Sequence, residues 1–266
     1  MNDEISERLK QARSICDEAG KTALGYFRRL DSLNIEAKGH QDLVSQADKE
    51  VELEIRAALA GLFPEDGIVG EEHAPVEGSS GYVWVIDPID GTANFVAGIP
   101  VWCVVLACVW QGKTVLGVIH DPLHGETFHA GVGGGAFCNE AAMFVSKTSG
   151  INQGSVGVGF SNRSGKGVIA RLVAAVVERG GLFVRNASGA MSLAYVAAGR
   201  LIGYSEDHMN AWDCLAGQLL VAEAGGVIED QDADEMIVDG GRVIVGAPSV
   251  FAELLEISEA AFGDGD

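Results

Sequence analysis

A short apolar strand that runs directly into an acidic turn is the feature of this sequence that most restricts its fold. Residues 83–86 are apolar and predict a buried strand, which carries Asp87 at its end. A proline stiffens the link from Asp87 to Asp90, and Gly91 lets the backbone approach a neighbour closely. Thr92 is placed to open a helix, where amide donors suit an anion. Carboxylates beside such donors are compatible if a cation bridges them, and oxygen ligands favour Mg²⁺ or Mn²⁺.

Two further acidic residues stand at predicted element boundaries. Glu71 follows a predicted strand at residues 67–70, and Asp213 begins the last long predicted helix. Taken alone, Glu71 is an ordinary loop charge and Asp213 an ordinary carboxylate at a helix N-terminus. The residues therefore leave two interpretations open, a shared metal site or separate structural roles, for Glu71, Asp87, Asp90 and Asp213. The histidines show no HxH spacing, and although His120 and His124 stand four residues apart, the histidines together form no convincing set of metal ligands, which argues against a zinc centre.

Apolar periodicity divides the chain into two halves with a soft boundary at residues 146–154. The first half predicts two amphipathic helices and then short strands, several in one antiparallel sheet, at residues 4–30, 48–62, 67–70, 82–86, 102–110, 115–120 and 127–130. The second half predicts alternating strands and helices, at residues 155–160, 168–179, 181–185, 190–198, 201–204 and 212–224. Such alternation indicates a layered α/β class. We expect a hairpin turn at the glycine-rich residues 131–139 and a solvated loop at the acidic residues 230–235.

Charge and composition exclude several classes of function. The chain has 18 basic and 38 acidic residues, a formal net charge of -20, so we expect no nucleic-acid partner. Its longest strongly apolar run, residues 101–110, is about half of what a membrane-spanning helix needs, and no signal peptide is evident. The five cysteines are odd in number and form no CxxC pair. We therefore expect reduced thiols, a cytoplasmic protein and no membrane partner.

Four blocks of the sequence, in matching order and spacing, resemble the inositol monophosphatase family of Mg²⁺-dependent, lithium-sensitive phosphatases. The blocks are DLVSQADKEVE at 42–52, GEEH at 70–73, DPIDGTANF at 87–95 and AWDCLAGQLLVAEAGG at 211–226. The resemblance implies a layered αβαβα sandwich, of mixed α/β (α+β) class, in one catalytic domain over residues 1–266. It would consist of an α+β half at about 1–150 and an α/β half at about 151–266. The resemblance also implies a homodimer and two or three Mg²⁺ ions per site, with Mn²⁺ possible.

The resemblance also assigns roles to individual residues. It implies that the metals are held by Glu71, Asp87, the carbonyl of Ile89, Asp90 and Asp213. It implies that the amides of Gly91 and Thr92 bind phosphate, and that Glu71, Thr92 and Asp48 form the catalytic group that orients the attacking water. The implied substrate-binding residues are Asp90, Gly91, Thr92, Ser188, Gly189, Glu206 and Asp213. Ser192 stands where an aspartate or asparagine is common in the family, a departure that bears on the alcohol recognised.

The implied reaction is Mg²⁺-dependent hydrolysis of a small polyol phosphate, myo-inositol 1-phosphate first, by an activated water and without a covalent intermediate. Histidinol phosphate, fructose 1,6-bisphosphate and 3'-phosphoadenosine phosphate stay open as alternative substrates. The wording DPIDGTANF favours the monophosphatases over the nucleotidases, which usually carry Lys-Glu after the threonine. The alternative from another class is a non-enzymatic regulatory or binding protein on the same fold.

Overall fold

The computed structural model describes residues 2–30, 35–39, 42–161, 163–165 and 167–263. The helices in this part of the chain are α1 (Asp3–Phe27), α2 (Gln46–Leu62), α3 (Thr92–Val96), α4 (Val168–Glu178), α5 (Gly189–Ala197), α6 (Ala211–Glu223), α7 (Ala233–Asp239) and α8 (Phe251–Gly263). None of these helices combines the length and the apolar character needed to cross a bilayer.

Fourteen strands in the described part of the chain form three sheets. They are β1 (Ile35–Gly39), β2 (Asp42–Ser45), β3 (Gly67–Gly70), β4 (Tyr82–Asp90), β5 (Cys103–Trp110), β6 (Lys113–Asp121), β7 (Glu126–Gly131), β8 (Ala136–Cys138), β9 (Ala141–Ala142), β10 (Ser155–Val158), β11 (Leu182–Val184), β12 (Gly203–Met209), β13 (Val227–Ile228) and β14 (Gly241–Gly246). A seven-stranded sheet runs in chain order from β3 to β9, and a five-stranded sheet has the order β11-β10-β12-β14-β13. Strands β1 and β2 form an antiparallel pair.

The seven-stranded sheet confirms the predicted antiparallel arrangement, with one exception. Strand β3 pairs with β4 in parallel, and every later neighbour is antiparallel. The parallel pair places Gly70 opposite Ile86, so the segments that follow β3 and the acidic end of β4 leave the sheet at the same edge. This register brings the Glu71 loop beside Asp87.

Each sheet buries a different set of side chains on its two faces, as expected for a strand period of two. In β5, Val104 and Leu106 belong to the core under α1 and α2, whereas Val105 and Ala107 belong to the core under α5 and α6. In β14 the alternation repeats, because Ile244 packs in the core with α4 and α8 on the outer face. The layers therefore follow the order helices, sheet, helices, sheet, helices, and the predicted αβαβα sandwich is confirmed.

The central layer of α5 and α6 shares its core with residues of both sheets. The two predicted halves therefore meet on one hydrophobic core, while the assignment of residues 1–266 to one catalytic domain stays a prediction. The glycine-rich stretch at residues 131–139 contains the connection from β7 to β8, at residues 132–135, which confirms the predicted turn.

Three local expectations are wrong. Strand β4 does not end before Asp87 but continues to Asp90, because pairing with β5 resumes after an irregularity in register. The acidic residues 230–235 are not wholly a loop, since Asp232 caps α7 by accepting the amide of Asp234. The helix at Ala211–Glu223 is not the last long one, because α8 also has 13 residues. Its signal was present in the sequence, as Leu254, Ile257 and Ala261 recur at helical spacing.

Candidate active site

Two carboxylates are fixed by the irregular end of β4. Asp87 pairs with Val105 and Asp90 with Cys103 on β5. Between these two pairs, β4 has two residues where β5 has one. The Asp87 Oδ1 atom accepts the amide of Ile89 at 2.9 Å, which holds the turn. The irregularity therefore sets the aim of both carboxylates without ending the strand.

A third carboxylate reaches the same place from the far end of the sequence. Asp213 lies in the first turn of α6, where its Oδ2 atom accepts the backbone amide and the side-chain amide of Asn210, both at 3.2 Å. This capping box fixes the start of the helix. One carboxylate oxygen from each of Asp87, Asp90 and Asp213 lies within 4.8 Å of the other two. We call these three residues the acidic cluster.

Burial and mutual repulsion raise the pKa values of the acidic cluster. The pKa of Asp87 lies well above its ordinary value because the group is buried and faces the carboxylates of Glu71, Asp90 and Asp213. Burial and the charge of Asp90 raise the pKa of Asp213 to about 7. Three converging oxygen donors of like charge are the ligand set that a hard divalent cation requires, so these residues could hold a metal.

Glu71 stands beside the acidic cluster, not among its three members. It directly follows β3, and its amide donates to the carbonyl of Ile86 at 3.3 Å, next to Asp87. Its carboxylate is close enough to raise the pKa of Asp87. The structure therefore brings together all four acidic residues that the sequence singled out.

The Thr92 hydroxyl lies next to the acidic cluster, within hydrogen-bond distance of two oxygen atoms. Thr92 Oγ1 is 2.9 Å from Asp48 Oδ1 and 3.1 Å from the carbonyl oxygen of Ile89. The other Asp48 oxygen accepts the amide of Ser45 at 2.9 Å and its hydroxyl at 2.5 Å, which caps α2. Burial raises the pKa of Asp48. The structure thus joins Asp48 to Thr92, as the resemblance implied.

The turn between β4 and α3 requires a glycine. Gly91 has a φ of 97°, and a Cβ atom there would lie 3.0 Å from the carbonyl oxygen of Val101. A side chain would be strained by the backbone and would also crowd this neighbour. This turn carries the amides of Gly91 and Thr92, which directly follow Asp90 in the chain.

Asp90 also holds the start of α5. Its carboxylate accepts the hydroxyl of Ser188, the amide of Gly189 at 3.3 Å and the amide of Ala190 at 2.9 Å. A negative charge at a helix N-terminus is favourable. One carboxylate therefore belongs to the acidic cluster and also fixes residues that the resemblance places at the substrate.

A cavity of about 180 Å³, measured by the space open to water-sized molecules, lies beside the acidic cluster. Its lining includes the expected residues Asp90, Ser188, Gly189, Ser192, Glu206 and Asp213. Burial raises the pKa of Glu206 to about 8, which favours the protonated form of this side chain.

Among the residues that line the cavity, sequence reasoning missed three with polar or charged side chains, Tyr204, Asn186 and Arg185. The Tyr204 hydroxyl donates to Glu206 Oε2, and these residues stand two apart on β12. That spacing was a usable signal, because residues i and i+2 share a face of a strand. The other two depend on how the segment before α5 folds, and periodicity gave no sign of them.

Comparison with known proteins decides the family. The model of the inositol monophosphatase family matches residues 4–261. The chain belongs to the inositol monophosphatase family. The resemblance drawn from the sequence blocks is thereby confirmed, and the chain is a phosphatase of a metal-dependent family.

Relatives in this family carry two kinds of name. The chain is 35% identical over 258 residues to a Haemophilus influenzae protein named Nus factor SuhB, with 96% of this chain and 95% of that protein covered. It is 37% identical over 244 residues to a Mesorhizobium japonicum protein named inositol-1-monophosphatase, with 90% and 91% covered.

Solved structures show the same fold. The extragenic suppressor protein SuhB from Bartonella henselae matches with a TM-score of 0.89 at 32% identity, covering 98% of this chain and 100% of that one. The Thermotoga maritima IMPase matches with a TM-score of 0.87 at 27% identity, with the same coverage.

Proposed function

We propose that this protein hydrolyses small polyol phosphate monoesters, with myo-inositol 1-phosphate as the first candidate, in a reaction that depends on Mg²⁺. The observation that carries the proposal is the convergence of Asp87, Asp90 and Asp213 at the edge of a cavity of about 180 Å³. Two or three Mg²⁺ ions, or Mn²⁺, would be held by Glu71, Asp87, the carbonyl of Ile89, Asp90 and Asp213. Such ions would neutralise the ester oxygens, lower the pKa of a bound water and stabilise the departing alkoxide.

The protein's own groups would orient water and substrate. Thr92 donates its only hydroxyl proton in a hydrogen bond to Asp48 or to the Ile89 carbonyl, which leaves its oxygen free to accept a hydrogen bond from water. Glu71, on the adjoining loop, would accept the second hydrogen bond from that water and take up the one proton that the water loses as it attacks. The amides of Gly91 and Thr92 would bind the phosphate oxygens. These roles make Glu71, Thr92 and Asp48 the proposed catalytic group.

The alcohol would be recognised at the other end of the cavity. Glu206 accepts the Tyr204 hydroxyl, and its protonated form, which burial favours, would offer both a donor and an acceptor to a polyol. Ser188, Gly189 and Asp213 complete the proposed substrate-binding set. Several hydroxyl-compatible groups in a small cavity support a polyol.

A direct attack by water agrees with the chemistry of the nearby thiols. Burial raises the pKa values of Cys103 and Cys214 well above the ordinary value, so neither is a thiolate at neutral pH. We therefore propose hydrolysis without a covalent phosphoenzyme. The free cysteines also support a cytoplasmic location, and the homodimer implied by the family stays part of the proposal.

Phosphate release from a substrate panel tests the proposal. Inositol 1-phosphate, histidinol phosphate, fructose 1,6-bisphosphate and 3'-phosphoadenosine phosphate are compared at fixed Mg²⁺ and again with the metal removed. We expect the highest kcat/KM for inositol 1-phosphate, and background rates for every substrate without metal. A higher value for another ester would replace the substrate, and no Mg²⁺-dependent release from any would refute the phosphatase proposal.

The relatives named Nus factor SuhB support one alternative, a role in binding rather than catalysis. The Asp213→Asn variant separates the two roles, because it removes a proposed metal ligand and leaves the outer surface unchanged. If this variant lacks phosphatase activity but keeps the cellular effect of the wild-type protein, the binding role is favoured.

A further inference from the structure

The backbone of the loop that carries Glu71 is hydrogen-bonded to a buried side chain of α2. Glu52 is 0% exposed, and its Oε2 atom accepts the amide of Glu72 at 2.7 Å. Its Oε1 atom lies 3.2 Å from the amide of His73. The two residues that directly follow Glu71 are therefore fixed to one carboxylate by their backbone, whatever their own side chains do.

Arg56 completes the attachment one helical turn later. Its Nε atom donates to Glu52 Oε1 at 2.6 Å, while its two terminal nitrogens donate to the carbonyls of His73 at 3.0 Å and Ala74 at 3.2 Å. The ion pair thus supplies acceptors for the loop amides and donors for the loop carbonyls. We call Glu52 and Arg56 the loop clamp.

The absence of a side chain at Gly70 leaves room for the Glu52 carboxylate. A Cβ atom at Gly70 would lie 2.3 Å from Glu52 Oε1, so the carboxylate packs where any side chain would stand. Glu52 also stands four residues after Asp48, on the same face of α2. One helix face therefore holds both Asp48, which contacts Thr92, and the loop that carries Glu71.

General stability is a weak explanation for the clamp. A buried ion pair costs so much desolvation that apolar replacements of similar volume are often neutral or stabilising. Groups that orient metal ligands, by contrast, typically change metal affinity or activity by 10- to 100-fold when they are removed. The loop clamp binds the backbone one residue beyond Glu71, which is the place expected of groups that orient a metal ligand.

We propose that Glu52 and Arg56 are positioning residues that set the place of the Glu71 carboxylate beside the acidic cluster. This inference rests on the proposed function, since it assumes that Glu71 is a metal ligand. Loss of the clamp leaves Asp87, Asp90 and Asp213 in place but lets the fourth carboxylate move. We therefore expect loss of the clamp to weaken metal binding. Saturating metal should restore the reaction geometry.

The test is calorimetric titration of the metal-free protein with Mg²⁺, together with the Mg²⁺ dependence of hydrolysis. For Glu52→Gln we expect about 10-fold or greater weakening of Mg²⁺ binding, with kcat at saturating Mg²⁺ within about three-fold of the wild type. Arg56→Lys, which keeps the charge but not the forked donors, should give a smaller effect in the same direction.

Asp66→Asn is the matched control. Asp66 is 6% exposed, pairs with Arg8 at 3.2 Å and accepts from Trp84 at 2.9 Å, but it precedes β3 whereas the Glu71 loop follows it. Unfolding temperature in EDTA reports the stability of each variant. The inference requires that the Mg²⁺ affinity of Asp66→Asn stays within two-fold of the wild type, whatever loss of unfolding temperature that variant shows.

Two outcomes would overturn the inference. One is unchanged Mg²⁺ affinity in Glu52→Gln, and the other is an equal loss of affinity in Asp66→Asn. If Glu52→Gln does not fold, Gly70→Ala is titrated instead, because its Cβ displaces the same carboxylate. Glu71→Gln separates this inference from the proposed function: unchanged Mg²⁺ binding in that variant refutes the role of Glu71 itself, whatever the clamp variants show.

Discussion

Replacing Asp213 with asparagine is expected to stabilise the metal-free protein at pH 8 while abolishing Mg²⁺-dependent hydrolysis. Without a cation, the acidic cluster holds three carboxylates with oxygens within 4.8 Å of one another. Burial and the charge of Asp90 raise the pKa of Asp213 from 3.8 to about 7. The folded chain therefore keeps a proton on Asp213 over a range in which the unfolded chain has already lost it.

The sign of the pH dependence follows from this difference. An acid with a raised pKa in the folded state stabilises the fold at low pH, and that stability is lost as the pH rises to about 7. At about 1.4 kcal/mol per tenfold change in proton affinity, the full difference corresponds to about 4 kcal/mol. Solvent screening of this partly buried group and a weaker cap on α6 reduce the expected gain from asparagine to about 2 kcal/mol at pH 8.

Thermal unfolding in EDTA at pH 5 and pH 8 measures the effect. About 2 kcal/mol corresponds to roughly 4–8 °C in Tm for a chain of this size, and the gain at pH 5 should be below about 1 kcal/mol. Mg²⁺ should raise the Tm of the wild type at pH 8 and leave the variant unchanged. A variant that is less stable than the wild type at pH 8 would show that the carboxylates of the acidic cluster do not repel one another as described. The same conclusion would follow if the difference in stability between variant and wild type did not depend on pH.

Three further predictions concern the cavity and the ions. Ala187 has a φ of 59°, so Ala187→Gly should raise the free energy of unfolding in urea by up to about 1 kcal/mol; a loss of stability would show that the backbone is not strained. Tyr204→Phe removes the donor to Glu206 and should lower kcat/KM for inositol 1-phosphate about five-fold, with p-nitrophenyl phosphate unaffected; equal losses on both would contradict a role in recognising the alcohol. Li⁺ should inhibit at fixed Mg²⁺ whereas K⁺ at the same concentration should not, and a flat Li⁺ titration would remove this family trait from the proposal.

Much of the layered fold could be predicted because its signals are local. The alternation along β5 sends Val104 and Val105 to different cores, and the pattern alone indicates a strand buried on both faces. The end of β4 was harder, because whether Asp87 and Asp90 stay in the strand depends on β5 as a partner. Short-range periodicity carries no information on that partner.

The candidate site divides in the same way. The sequence by itself determined which residues are chemically suited to it, since DPIDGT follows a strand and Asp213 opens a helix. Only the tertiary structure decided that these groups meet, because α6 packs between the two sheets and delivers Asp213 to the end of β4. It also decided the attachment of the Glu71 loop to Glu52, a contact between chain segments about 20 residues apart. Such contacts depend on how whole elements pack, and residue types and spacing do not specify this packing.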